Sequence, residues 1–254
     1  MRTECQTCPV RREGLCASMS DERLSEFGAL KRPVRRHPSG SCICTEHERN
    51  DAVYIVRAGW AVASTVRESG RRQILRFVLP GGLIGFETAP DGTMPCTVEA
   101  LTDLTVCSLP RRQLLAFCER APAVALRMAS LLAGETISDW RLLGGLGCCT
   151  AAERIARLLL ELGDRQHRAG ARQALPPDTD AVLPISQIQI ADATGLTPVH
   201  VCRTLKEMRE AGLLTFARQH LHVLDRSRLI ALAGIEDEAP PPRRAGRGEL
   251  AALQ

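Results

Sequence analysis

Apolar and polar positions change rhythm several times along this chain. Asp21 to Phe27 carries a helical spacing. From Arg35 to Pro110 the positions alternate and turn often: a strand pair about Gly59 (Val53 to Val62), a hairpin at Gly70 followed by Gln73 to Leu79, and closing strands over Thr97 to Leu109. Many short strands with glycine turns predict a jelly-roll-like barrel. From Pro122 to Leu146 the apolar residues return at helical spacing, with Gly144, Gly145 and Gly147 predicting a weak end and a flexible junction. Ile155, Leu158, Leu159 and Leu162 open a further amphipathic helix at i, i+3, i+4, i+7. Gly163 to Pro184 reads as a polar loop, Gly212 to Leu224 as a two-stranded hairpin, and the proline-rich stretch beyond Gly234 as disordered.

The stretch from Pro184 to Leu214 is the most regular. Gln187 to Thr194 predicts a short helix, and Gly195 supplies the left-handed residue that ends it. Thr197 then caps a second helix with Pro198 in its first position, where the missing N–H costs nothing. Val201, Leu205 and Met208 form an apolar stripe; Val199, Cys202, Arg203 and Lys206 lie on the opposite face. One buried face and one basic face suit entry into a DNA major groove. By periodicity alone, a helical hairpin with merely solvated cations fits as well.

Composition narrows the class. A chain of 254 residues, 44% hydrophobic, buries a sizeable core and divides most naturally into two domains. It has no run of about 18 apolar residues, and MRTECQTC lacks the apolar core of a signal peptide, so a cytoplasmic, membrane-free protein is expected. The net charge of +4 is too mild to argue for nucleic acid. Eleven cysteines favour metal, cluster or thiol chemistry over disulfides in a reducing compartment. Cys5 and Cys8 stand at C-x2-C spacing, so two thiolates can grip one centre from a turn while Cys16 folds back over it. A fourth ligand must come from elsewhere, and by itself the motif reads as zinc or nothing. Cys42, Cys44, Cys96 and Cys118 read as small buried hydrophobes, Cys148 and Cys149 as neutral or redox-exposed, and His37 and His47 as surface loop residues.

The segment TPVHVCRTLKEMR (197–209) resembles the recognition helix of the Crp/Fnr superfamily of transcription regulators. The resemblance implies that Arg203 contacts a guanine. Val199 stands where many members carry a base-reading Glu, and Thr197, His200, Cys202 and Lys206 complete the DNA-reading set. The N-terminal cysteines are similar to the C-x2-C-x7-C form of the Fnr branch, whose fourth ligand comes from a strand like Val106-Cys107-Ser108-Leu109-Pro110. The resemblance therefore implies a [4Fe-4S] cluster on Cys5, Cys8, Cys16 and Cys107, with Cys96 as the substitute for Cys107, and a signal of oxygen or nitric oxide. Tyr54 to Trp60 and Pro80 to Phe86 resemble the family's cyclic-nucleotide-binding-type roll. Phe86 takes the ribose-binding Glu position, however, and Glu87 follows one place later. No Arg or Lys lies between Glu87 and Val106, so cyclic AMP or GMP is not expected. The 122–146 helix resembles the family's dimer helix, with Met128, Leu131, Leu132 and Leu142 as apolar contacts and Asp139 as an acidic residue near the seam.

The implied architecture is α+β: a cysteine-rich segment (1–20), a cyclic-nucleotide-binding-like β-roll (21–120), a long dimerisation helix (121–147), a winged helix-turn-helix (148–232) and a disordered tail (233–254). Expected partners are a second copy, a palindromic double-stranded operator and RNA polymerase, the last as an activator. Rival readings are a regulator with structural zinc or a thiol-redox site, a haem-based gas sensor, and an iron–sulfur electron carrier. An enzyme is disfavoured, because there is no dinucleotide glycine motif, nucleophile elbow or paired acid–base set.

Overall fold

A computed structural model describes residues 5–171 and 180–235; the side chains of 168–171 are outside that description. The tail beyond 235 and the loop residues 172–179 lie outside the described residues. The chain begins with a series of turns, then a 3-10 turn over Leu15–Ser18 and helix α1 (Asp21–Leu30). Ser20 caps α1 by accepting from the Arg23 amide, and Asp21 and Glu22 complement its N-terminus.

Eight strands follow: β1 (Arg35–His37), β2 (Cys42–Cys44), β3 (Ala52–Ala58), β4 (Ala61–Val66), β5 (Arg72–Val78), β6 (Leu83–Ile84), β7 (Thr97–Ala100) and β8 (Leu104–Pro110). They form two four-stranded antiparallel sheets, β1-β8-β3-β6 and β2-β7-β4-β5. Val56, Ala61, Ala63, Val78, Val98 and Val106 fill the space between them. Gly59 makes the β3–β4 turn at φ 82°, and a Cβ there would sit 2.1 Å from the Asp103 carbonyl oxygen, so no other residue fits.

Helix α2 (Arg111–Arg120) leads into α3 (Pro122–Cys148), a 27-residue rod roughly 40 Å long. Helix α4 (Ala151–Ala171), β9 (Asp180–Val182), α5 (Gln187–Thr194), α6 (Pro198–Glu210), β10 (Leu214–Ala217), β11 (His220–Val223) and α7 (Arg226–Ala233) complete the chain. The outer face of β4 and β5 (Trp60, Val62, Ile74, Phe77) shares one core with Ile155 and Leu159 of α4, Ile190 of α5 and Val201 of α6. The Gln73 side chain adds a hydrogen bond to the Ala193 carbonyl at 3.3 Å.

Four sequence expectations are corrected. Gly144, Gly145 and Gly147 remain helical, and the junction falls at Cys149 and Thr150. Gly163 does not end α4: the about 1 kcal/mol that a mid-helix glycine costs is offset by the buried Leu160 and Leu162 and by the Asp164–Arg226 ion pair at 2.9 Å. The wing has three strands, because Asp180–Val182 pairs antiparallel with β11. His37 lies half-buried on β1, not on a surface loop.

Candidate metal centre and nucleic-acid interface

The N-terminal cysteines are brought to one place by backbone turns and one arginine. The Cys8 amide bonds to the Cys5 carbonyl and the Arg11 amide to the Cys8 carbonyl, which sets the C-x2-C pair on a turn. The Arg11 guanidinium then donates to the carbonyls of Cys16 and Met19, each at 2.6 Å, so the 3-10 turn carrying Cys16 folds back towards the pair. Cys107 arrives from the roll, on β8 opposite Ile55 of β3. Cys5, Cys8 and Cys107 line a cavity of about 460 Å³ together with Gly28, Lys31 and Arg57. Gly28 lies beside the Cys5 sulfur, which would be in ordinary contact, at 3.5 Å, with a Cβ at that position.

The four thiols act on one another electrostatically. Burial pushes the Cys16 thiol up to about 11; Lys31 pulls it back, and Cys5, Cys8 and Cys107 push it further. Cys107 is likewise raised, by burial first, against the opposing pull of Lys31 and Arg57. Burial works against the Lys31 ammonium, yet Cys16, Cys107 and Cys5 outweigh it and the Lys31 pKa is raised. Among the described residues, no three His, Cys, Asp or Glu groups stand close enough to hold a single metal ion. Three thiols on the wall of a roomy, cation-lined cavity, with Cys16 in electrostatic reach of them, fit a group that spreads its ligands over several irons.

The remaining cysteines stand apart. Cys44 and Cys96 are buried in the roll core, away from Cys107, so Cys96 is not placed to substitute for it. Cys118 lies on the buried face of α2, whereas Cys42 and Cys148 are exposed, which corrects the buried reading of Cys42.

The helix pair at the other end has the expected caps. Ser186 and Gln189 form a reciprocal capping box at the start of α5, and Gly195 ends it at φ 69°, ψ 23°. Thr197 caps α6 by accepting from the His200 amide at 3.2 Å. Val201, Leu205 and Met208 are buried, and Thr204 joins them. Thr197, Val199, Cys202, Arg203 and Lys206 are exposed and His200 is half-buried. Arg203 and Lys206 reach Glu207 and Glu210 only at 3.9 and 3.8 Å, loose exposed pairs that leave both cations available. At the wing tip, Arg218 and Gln219 both take positive φ and are exposed beside His220.

Comparison with known proteins follows this geometry. A family described as "Cyclic nucleotide-binding domain" matches residues 34–121, and one described as "Crp-like helix-turn-helix domain" matches residues 153–232. The "Transcriptional activatory protein AadR" of Rhodopseudomonas palustris is 33% identical over 233 residues, 90% of this chain and 93% of that protein. The chain belongs to the Crp/Fnr family. The "Transcriptional activator protein FnrL" of Cereibacter sphaeroides is 29% identical over 94% of this chain and 95% of its own length. The solved structure of FixK2 from Bradyrhizobium japonicum superposes with a TM-score of 0.70 at 30% identity, covering 80% of this chain and 96% of that one. A Crp-like helix-turn-helix makes this a DNA-binding regulator and not an enzyme. Among the described residues, no helix is long and apolar enough to cross a membrane.

Two features acquire meaning in a Crp/Fnr chain. On α3, Met128 is only 8% exposed and packs against the protomer's own cysteine segment and roll, with Leu131 and Leu132 half-buried beside it. Asp139 and Leu142 are half-buried. The open face carries Leu126, Ile137, Trp140 and Leu143, which are 71%, 46%, 67% and 63% exposed. Leu126, Ala133, Trp140 and Gly147 fall seven residues apart, with Ala129 and Leu143 between them. In the roll, Glu87 is held by Arg76 at 2.8 Å, and Arg72 by Glu99 at 2.7 Å. Both arginines are thus already matched by carboxylates within the roll.

Sequence reasoning missed three residues that organise the site. Lys31 sits at the end of α1 and reaches the thiols; Arg11 closes the cysteine segment. Arg127 of α3 donates to the Glu13 and Gly14 carbonyls. Isolated cations carry no spacing signal, and only the folded chain places them.

Proposed function

We propose that this Crp/Fnr chain is a homodimeric transcription activator that reports oxygen through a [4Fe-4S] cluster on Cys5, Cys8, Cys16 and Cys107. The observation that supports the reading is the convergence of Cys5, Cys8 and Cys107, from a turn motif and a strand, on one cation-walled cavity, with Cys16 close enough to act on all three electrostatically. When bound, the cluster supplies an oxygen-labile cross-link between the two. Cys107 anchors that link to β8, and the Leu15–Ser18 turn rests on α3. Arg127 hydrogen-bonds the same segment to α3, so the state of the cysteine segment is felt by the helix that bears the exposed seam. Leu126, Ile137, Trp140 and Leu143, with Gly144 and Gly147 opening space for close approach, form the proposed interface with the second copy. Each protomer then offers one α6 to a half-site of a palindromic operator, with Arg203 contacting guanine and Thr197, Val199, His200, Cys202 and Lys206 around it. RNA polymerase is the partner that an activator requires.

The test is the visible spectrum and iron content of protein purified without oxygen, read before and after air, with operator binding followed in parallel. A brown protein with four-iron content that bleaches and releases DNA supports the reading. Cys107→Ser is expected to fold but to retain no four-iron species. A colourless, air-stable protein carrying zinc, or one with a haem spectrum, overturns the oxygen sensor and leaves the DNA-binding assignment. Exposure of the brown protein to nitric oxide separates the two gases as signals.

A further inference from the structure

Lys31 is a half-buried cation with a singular set of neighbours. Its Nζ donates to the Cys5 sulfur at 3.3 Å and lies 4.9 Å from the Phe27 ring centroid. No carboxylate pairs with it among the described residues, and it lines the same cavity as Cys5, Cys8 and Cys107. Its placement is built in: Lys31 is the C-cap of α1, where its amide bonds to the Gly28 carbonyl and the negative end of the helix favours a cation. Gly28, one turn earlier, lies beside the sulfur that Lys31 touches.

A half-buried ammonium that donates to a cysteine sulfur has a use once that sulfur and its neighbours carry charge. Four cysteine thiolates on a [4Fe-4S] core leave the assembly negative, and burying that charge is costly unless a cation and N–H donors face it. Hydrogen bonds to cluster sulfurs and nearby charge are among the features that set how tightly such a group holds its electrons. We propose that Lys31 is the positioning residue of this site, the counter-ion and N–H donor to the cysteine sulfurs that slows loss of the bound cluster to oxygen. The inference rests on the cluster reading above and adds a residue outside the ligand set. Removing the positive charge destabilises the more reduced, more negative form, so the midpoint potential falls and oxidation becomes easier. Arginine keeps both the charge and the N–H donors.

The experiment uses the full chain, wild type, Lys31→Met and Lys31→Arg, each loaded anaerobically with iron and sulfide. Iron content, midpoint potential and the rate of bleaching in air are measured on all three. Lys31→Met is expected to shift the potential to more negative values and to bleach roughly tenfold faster, the scale of one lost charge-assisted hydrogen bond; Lys31→Arg restores both. If Lys31→Met loads poorly, recovery by Lys31→Arg still supports the charge role. Unchanged potential and bleaching in a loaded Lys31→Met overturn the proposal, as does an equal defect in both variants. A wild type that takes up no cluster overturns the cluster reading itself, and with it this inference.

Discussion

Arg203, the proposed guanine contact, carries little structural load. Its side chain is exposed and the partner it has among the described residues, Glu207, is 3.9 Å away, so the protomer gains little from it. Arg203→Ala is therefore expected to abolish the operator footprint, at a cost of roughly 1–3 kcal/mol of discrimination for the lost bidentate contact. Sedimentation should show the oligomeric state unchanged. Asp139 is the opposite case. Burial raises its pKa above the ordinary 3.8; Arg76 opposes that and Glu135 and Glu87 add to it. A carboxylate raised in the folded state contributes stability below its unfolded pKa and loses that contribution as pH rises through the folded value. The ionised form is thus a burden at neutral pH. Asp139→Asn should raise the urea midpoint at pH 7, and the gain should vanish as the buffer approaches the unfolded carboxylate pKa. The same residue was expected near the dimer seam from resemblance; its half-burial beside Arg76 is visible only in the fold.

Helix α3 serves two surfaces at once. Val124 and Met128 complete the core that holds the cysteine segment, while Leu126, Trp140 and Leu143 project from the other side. Helical periodicity announces that a helix exists but not which of two apolar faces meets its own chain. For that reason the resemblance places Met128, Leu131 and Leu132 at the seam, whereas within the protomer Met128 is buried and Leu131 and Leu132 are half-buried against its own chain. Trp140→Glu replaces a side chain that is 67% exposed in the protomer, so thermal unfolding of the protomer should change little. The proposed dimer should weaken on the order of a hundredfold, because an unpaired charge would be buried at the seam; analytical ultracentrifugation across a concentration series measures it.

Across the whole molecule, the proposed sensor is linked to α3 by hydrogen bonds and the roll to the DNA reader by packing. Arg127 ties α3 to the carbonyls of Glu13 and Gly14, and the β4–β5 face shares a core with α4, α5 and α6. The first tie is polar and local, so it can be cut without dismantling the roll. Arg127→Ala should retain four-iron content under anaerobic conditions while losing most cluster-dependent dimerisation and operator binding. Loss of iron and of DNA binding together would instead make Arg127 part of the cluster's own support.

The sequence alone determined the order of roll, long helix and helix-turn-helix, because strand alternation, helical periodicity and the Ser186, Gly195 and Thr197 caps are local signals carried by neighbouring residues. It also announced Cys5, Cys8 and Cys16 by spacing, and Arg203 by its place opposite an apolar stripe. Only the tertiary structure decided that Cys107 and not Cys96 faces those thiols, that Lys31 and Arg127 attend them, that Asp180–Val182 joins the wing, and that α4 continues through Gly163. These are choices between elements far apart in the chain, set by which surfaces bury one another and which charges find partners, and no short stretch of sequence carries them.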